Sequence, residues 1–328
     1  MINKKISTLA AFETLDSRGN PTVSVHITLE GGASGSASVP SGASTGEAEA
    51  HERRDGDGAR YLGKGTLEVC RDIEERIFPA VKGMDASAQK KLDERLIALD
   101  GTKNKQSLGA NAILAVSLAA ARAAANAYEL PLYRYLGGIY GAKRFPRPMM
   151  NVLNGGCHAG NNIDIQEFMI VPVGASSFAE AIRIGCEIYH TLGKILKRGG
   201  LSVSVGDEGG FAPNLANDED AIEFLLEAIR EAGYDEETVQ ISLDVAASEW
   251  VKHGKYHLPK RGTVLTAEEL TEKFDGYLDR YPILSIEDPI GENDEEGWHH
   301  ITQKLGKKNA SHRRRSFRYK SFPLGVGH

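Results

Sequence analysis

The sequence predicts an α/β protein in two parts, a small N-terminal α+β domain followed by an incomplete (β/α)8 barrel. Near the N-terminus, alternating apolar residues and glycine turns precede helical patterns. Beyond a Gly/Pro-rich link, strand and helix patterns alternate, as in βα units. In that second half three apolar runs, SVSVGDEGG, QISLDV and ILSIEDP, carry the acids Glu208, Asp244 and Glu287 at nearly even spacing. One step is about the length of a strand, a helix and two loops. Strand C-termini in a closed barrel open on one face, so acids placed there converge. Converging carboxylates suit a hard metal ion, or a metal beside a proton-transfer group. Any one of these acids equally fits a cap on the helix that follows it; three in series favour the shared centre.

Element by element, Val23, Val25, Ile27 and Leu29 alternate with Thr22, Ser24, His26 and Thr28, a half-buried strand. The Gly31-Gly32 turn leads to a short strand ending at Val39, and the segment 6–15 completes a three-strand antiparallel meander. Leu67, Cys70, Ile73 and Ile77 share one face of a first helix. Leu92, Leu96 and Leu99 share a face of a second, with Gly101 at its C-cap. Ala110 to Tyr128 reads as a buried Ala-rich helix stopped by Pro131; Asn111, Arg122 and Asn126 within it argue against a membrane span. These elements make a domain of residues 1–138, closed by the link GGIYGAKRFPRP. Next come two apolar runs, NVLNGG and EFMIVPVG, and a helix from Ser177 to about Lys197. The segments 202–206, 239–245 and 283–287 read as strands, and 218–231, 266–279 and 294–305 as helices, with Thr266 and Glu269 forming a capping box. Residues 139–308 therefore supply about five of the eight strands that a barrel needs.

A length of 328 residues favours two domains over one. Hydrophobic content of 41% and charge of 26% describe an ordinary globular protein, and a net charge of −6 gives no general attraction to nucleic acid or acidic membranes. Cys70, Cys157 and Cys186, an odd count without C-x-x-C, argue against a disulfide framework and fit a reducing cytoplasm. The N-terminal apolar patch is broken by Thr and soon meets Glu13 and Asp16, so no signal peptide is expected.

Three segments carry candidate chemistry. VPSGASTGEAEAHERRD places Ser41, Gly42, Ser44, Thr45 and Gly46 in a loop whose small residues allow close backbone approach to a phosphate or a metal-bound ligand, although most such loops are only flexible. NVLNGGCHAGNNIDIQEFMIVP sets His158 after two glycines and opens the next run with Gln166 and Glu167. GDEGGFAPN holds Asp207 and Glu208 between glycines that suit a tight turn.

Taken together, DSRGNPTV, SGASTG, LNGGCHAGN, QEFMI, GDEGGFAP, SLDVAASE and SIEDP, in this order over residues 1 to about 308, resemble the enolase (phosphopyruvate hydratase) family. The resemblance implies Mg2+-dependent, reversible dehydration of 2-phosphoglycerate to phosphoenolpyruvate in glycolysis. It implies that Glu208 is the general acid and Glu167 its partner carboxylate, and that His158 and Gln166 contact substrate. Asp244 and Glu287 would be two of three carboxylate ligands of the first Mg2+, and Ser44, on a closing loop, would join the second. It also implies a homodimer formed through the N-terminal domain. SGASTG and NGGCHAG resemble enolase itself more than superfamily members acting on other acids.

The resemblance stops near Lys308. The family continues with an apolar strand ending in Gly-Asp-Asp-Leu, whereas residues 309–328 read NASHRRRSFRYKSFPLGVGH, with Arg313, Arg314, Arg315, Arg318 and Lys320 and no acid. A basic tail that binds nucleic acid is one reading. The other is a slipped reading frame: codons for residues 309–321, read one base out of phase, can spell MQVIGDDLFVTN, the missing strand and metal motif. Within the 328 residues, the third acid ligand, the base lysine and the last barrel strands are then missing, and the chain is expected to be inactive or severely impaired. A non-catalytic enolase fragment serving only as a binding protein is the alternative. Sequencing the gene across the Lys308 codon is expected to show a base gained or lost relative to related genes; an intact frame through His328 would refute the slip.

Overall fold

The structure is a computed structural model that describes residues 3–40, 42, 46–141 and 145–306. Ser44 and the basic tail lie outside these residues. Contacts divide the chain into two units, Met1–Arg144 and Phe145–His328.

The first unit opens with β1 (Ile6–Leu15), β2 (Pro21–Leu29) and β3 (Ser34–Ser38), paired antiparallel in that order as the alternation predicts. Val23, Val25, Ile27 and Leu29 all turn inward. Next come α1 (Leu67–Asp72), a π turn over Ile73–Ile77 and α2 (Phe78–Val81). Their buried stripe is Val69, Cys70, Ile73 and Ile77; Leu67, expected in it, opens the helix and stays exposed. In α3 (Gln89–Asp100) Leu92 and Leu96 are buried, and Gly101 caps the helix at φ 71°. α4 (Ala110–Ala127) lies on β2 and β3. It approaches so closely that a Cβ on Gly35 would stand 2.2 Å from the Ala123 nitrogen. Alanines on α4 are what permit this contact. They also explain why a helix of membrane-spanning length and hydropathy sits in the core of this unit. Part of the expected link is helical instead: α5 (Leu132–Gly141) starts just after Pro131, a favoured residue at a helix start, and is interrupted at Gly138, φ 65°.

The second unit contains β4 (Met150–Asn154), β5 (Glu167–Val171), α6 (Phe178–Arg198), α7 (Asp218–Glu231) and β6 (Gln240–Asp244). It continues with β7 (Val251–Lys252), β8 (Lys255–His257), β9 (Val264–Leu265), α8 (Ala267–Arg280), β10 (Ile283–Glu287) and α9 (Glu295–Leu305). The main sheet runs β10-β6-β5-β4, while β7-β8-β9 form a separate small meander that the sequence pattern does not reveal. Helix ends follow local rules: Ser177 and Asn217 cap α6 and α7, and Thr266 with Glu269 makes the expected capping box on α8. Apolar residues of one sheet face, including Phe168, Ile170, Ile241, Leu243 and Ile286, pack in one core with the inner faces of α6, α7 and α8. This is the βα layering expected of barrel strands, although no closed barrel forms among the described residues.

The sheet differs from a simple run of βα units in two ways. The strands are not all parallel: β6 and β10 are, but β5 runs antiparallel to both β4 and β6. β4 and β5 are joined by a loop and not by a crossover helix, so the chain is free to reverse. The segment 202–206 is not a strand of the sheet, which leaves four of the five expected strands. Val205 instead bridges Phe211 across a tight hairpin, and Val203 and Val205 are exposed. The backbone bonds of 204–212 are made within that hairpin, to β4 and to His158.

Phe168 is fully buried at the centre of the core, so Phe168→Ala is expected to cost about 3–5 kcal/mol in chemical denaturation. Thr266→Ala, which removes only the cap, is expected to cost about 1 kcal/mol.

Candidate active site

Sheet register aligns the acids. Glu287 is the partner of Asp244 on the neighbouring strand, Asp244 of Glu167, and Glu167 of Asn154. Because β5 runs opposite to its neighbours, its first residue, Glu167, stands level with the last residues of β4, β6 and β10. Antiparallel pairing thus brings Glu167 to the same end of the sheet as Asp244 and Glu287. Two rungs below, the Ser242 and Ser285 hydroxyls bond across β6 and β10 at 2.5 Å. Side chains alternate along a strand, so Ser242 with Asp244 and Ser285 with Glu287 share the polar face opposite the apolar core.

Electrostatically the row is crowded. Burial is the largest cause, followed by the negative charges of Glu287, Glu167 and Asp288, in pushing the Asp244 carboxyl up to about 7. A single backbone donor, the Ala246 N–H at 3.1 Å from Oδ1, works against that shift. Ala246 and Asp288, which follow the acidic strand ends, adopt φ 50° and 44°, a left-handed backbone uncommon for residues with a Cβ. Carboxylates packed to this degree, with an all-oxygen donor set, fit a hard divalent cation held by Asp244 and Glu287.

Beyond Glu167 the row continues into a second group. His158, 5% exposed, ends a short 3-10 turn over Gly156–His158. Its Nδ1 lies 3.5 Å from Glu167 Oε1. Glu208 is exposed on the hairpin turn, and one ligand-type atom from each of His158, Glu167 and Glu208 lies within 4.8 Å of the others. The hairpin is closed by Gly206 N to Gly210 O and clamped to its neighbours by Asp207 N to His158 O and Phe211 N to Val152 O. Gly210 must be glycine for this, because a Cβ there would stand 2.3 Å from Asn154 Oδ1. Glu208 therefore reaches the cluster from a turn and not from the end of a strand, as the spacing had suggested. Gln166 is buried, and its Oε1 accepts the Cys157 thiol at 2.9 Å. Burial and the charge of Glu249 hold that thiol above its ordinary pKa, so it stays a donor.

The structure thus gathers Glu287, Asp244, Glu167, His158 and Glu208 into a continuous run, with Gln166 beside it. Ser44 falls outside the described residues. Sequence reasoning missed Asn154, which is fully buried with both side-chain polar atoms lacking a hydrogen-bond partner. Its place before the double glycine of NVLNGG was the available signal. It also missed Ala246 and Asp288, whose backbone conformation leaves no mark in residue type.

Two family models match the chain. Residues 6–136 match the enolase N-terminal domain, and residues 142–310 match the enolase C-terminal TIM barrel domain.

Because the folded-state pKa of Asp244 is raised, the folded chain holds a proton that the unfolded chain has released between about pH 4 and pH 7. This site's effect on stability therefore worsens as pH rises through that window. In metal-free buffer Asp244→Asn is expected to raise Tm at pH 8 by roughly 2–4 °C, with the difference shrinking toward pH 4 in scanning fluorimetry; a lowered Tm at pH 8 would contradict the crowding.

Proposed function

The chain belongs to the enolase family, and on that premise we propose that its second unit is built for the reversible dehydration of 2-phosphoglycerate to phosphoenolpyruvate. The observation that carries this reading is the continuous run from the oxygen-only pair Asp244–Glu287 to the group His158–Glu167–Glu208. Dehydration needs three kinds of help: charge to offset the carbanion character that builds at C2, an acid for the departing C3 hydroxyl, and a base to take the C2 proton. A bound Mg2+ at Asp244 and Glu287 would supply the first by drawing charge from the substrate carboxylate. Glu208, exposed on its turn, would give its proton to the hydroxyl, with Glu167 beside it to restrain the carboxyl. His158 and Gln166 would orient the substrate, Gln166 being itself held by the Cys157 thiol. Three free cysteines fit a reducing, cytoplasmic setting for this reaction.

We also propose that a chain of these 328 residues carries only the acid side of the chemistry. Residues 309–328 contain neither an acid to complete the metal site nor the base lysine of the family motif, in keeping with a slipped frame after Lys308.

The test is a spectrophotometric assay of phosphoenolpyruvate formation with Mg2+. The 328-residue chain is expected to fall at least ~10²–10⁴-fold below the product of a gene repaired by one base, since general acid–base help alone is worth that much. In the repaired chain Glu208→Gln should lower kcat by a similar factor and leave KM nearly unchanged. Ordinary turnover by the 328-residue chain would refute the need for the missing lysine. No turnover by the repaired chain would favour a purely binding role.

A further inference from the structure

We propose that His158, Glu167 and Glu208 form a separate cation site, selective for a nitrogen-seeking divalent transition ion such as Zn2+. The three ligand-type atoms lie within 4.8 Å of one another. His158 is nearly fully buried, yet neither ring nitrogen makes a hydrogen bond, and a buried polar group left so is costly. At 3.5 Å, His158 Nδ1 and Glu167 Oε1 are too far apart for a good hydrogen bond. Their separation is close to the edge of a tetrahedron, about 3.3 Å, set by zinc–ligand bonds of about 2.0–2.1 Å.

Each ligand is held by a different local device. His158 is fixed by the turn that its N–H closes onto Gly155 O at 3.1 Å, and Glu167 by its place in the sheet. Glu208 rides on a turn whose Asp207 N–H donates to His158 O at 3.2 Å, so the imidazole and the third carboxylate are tied through their backbones. Glu208 is exposed, so its carboxyl stands outside the core. Donor chemistry separates this group from its neighbour. Mg2+ prefers oxygen and keeps its waters, which suits Asp244 with Glu287. An imidazole with two carboxylates favours Zn2+, Co2+ or Cu2+. An ion here would engage the carboxyl of Glu208 as a ligand and stop it from donating a proton. That consequence, unlike the binding itself, rests on the role proposed above.

The experiment is a Co2+ titration of the full 328-residue chain in excess Mg2+, followed by visible absorption. A d–d band of low-symmetry nitrogen–oxygen coordination is expected, displaced by Zn2+. His158→Asn and Glu208→Gln should each weaken Co2+ at least ~10-fold, and Asp244→Asn should leave the band in place. Glu208→Gln is an exposed change, so unaltered circular dichroism in that variant separates ligand loss from misfolding. No band under excess Mg2+, a band of unchanged affinity in both ligand variants, or a band lost with Asp244→Asn would each overturn the site. A cobalt band of the expected behaviour beside a failed dehydration assay would uphold the site and count only against the catalytic reading.

Discussion

The second unit is organised around the mutual repulsion of carboxylates at one end of its sheet. Glu287, Asp244 and Glu167 occupy consecutive positions across three strands, where like charges directly opposite are destabilising. Asp244 shows the result, since burial and its neighbours raise its carboxyl to about 7. Such an arrangement opposes folding unless a proton or a cation relieves it. The surrounding structure holds it in place: an apolar core on the far face of the sheet, a serine pair two rungs below, and two left-handed residues that turn the chain just beyond the acids.

From that constraint follows a division of labour along the row. At the β6–β10 end the ligands are carboxylate oxygens alone. At the β5 end, antiparallel pairing lets Glu167 face His158 and the Glu208 turn, where a nitrogen and an exposed acid become available. Glu167 belongs to both ends, adding to the potential on Asp244 and standing 3.5 Å from the imidazole.

Much of this was legible in the sequence where the cause is local. The meander followed from alternation between Val23 and Leu29, the α8 start from Thr266 and Glu269, and the end of α3 from Gly101. The acids at the ends of β6 and β10 were visible because each closes an apolar run. Illegible features depend on partners. An apolar run does not state its direction, so the reversal of β5 could not be read from EFMIV. SVSV alternates like a strand, but its backbone bonds are made within a hairpin of its own. Nothing in the types of Ala246 or Asp288 announces a positive φ. The family resemblance supplied roles for residues that pattern alone left open, and the structure shows why Glu287, Asp244, Glu167, His158 and Glu208, scattered in sequence, meet.

The central claim is that the acidic row is a divalent-cation site centred on Asp244. Titrating metal-free chain with Mn2+ and following free ion by electron paramagnetic resonance tests it most directly. The account predicts a bound ion that Mg2+ displaces and that is lost in Asp244→Asn with the fold intact. Undiminished, Mg2+-displaceable Mn2+ binding in Asp244→Asn would contradict it.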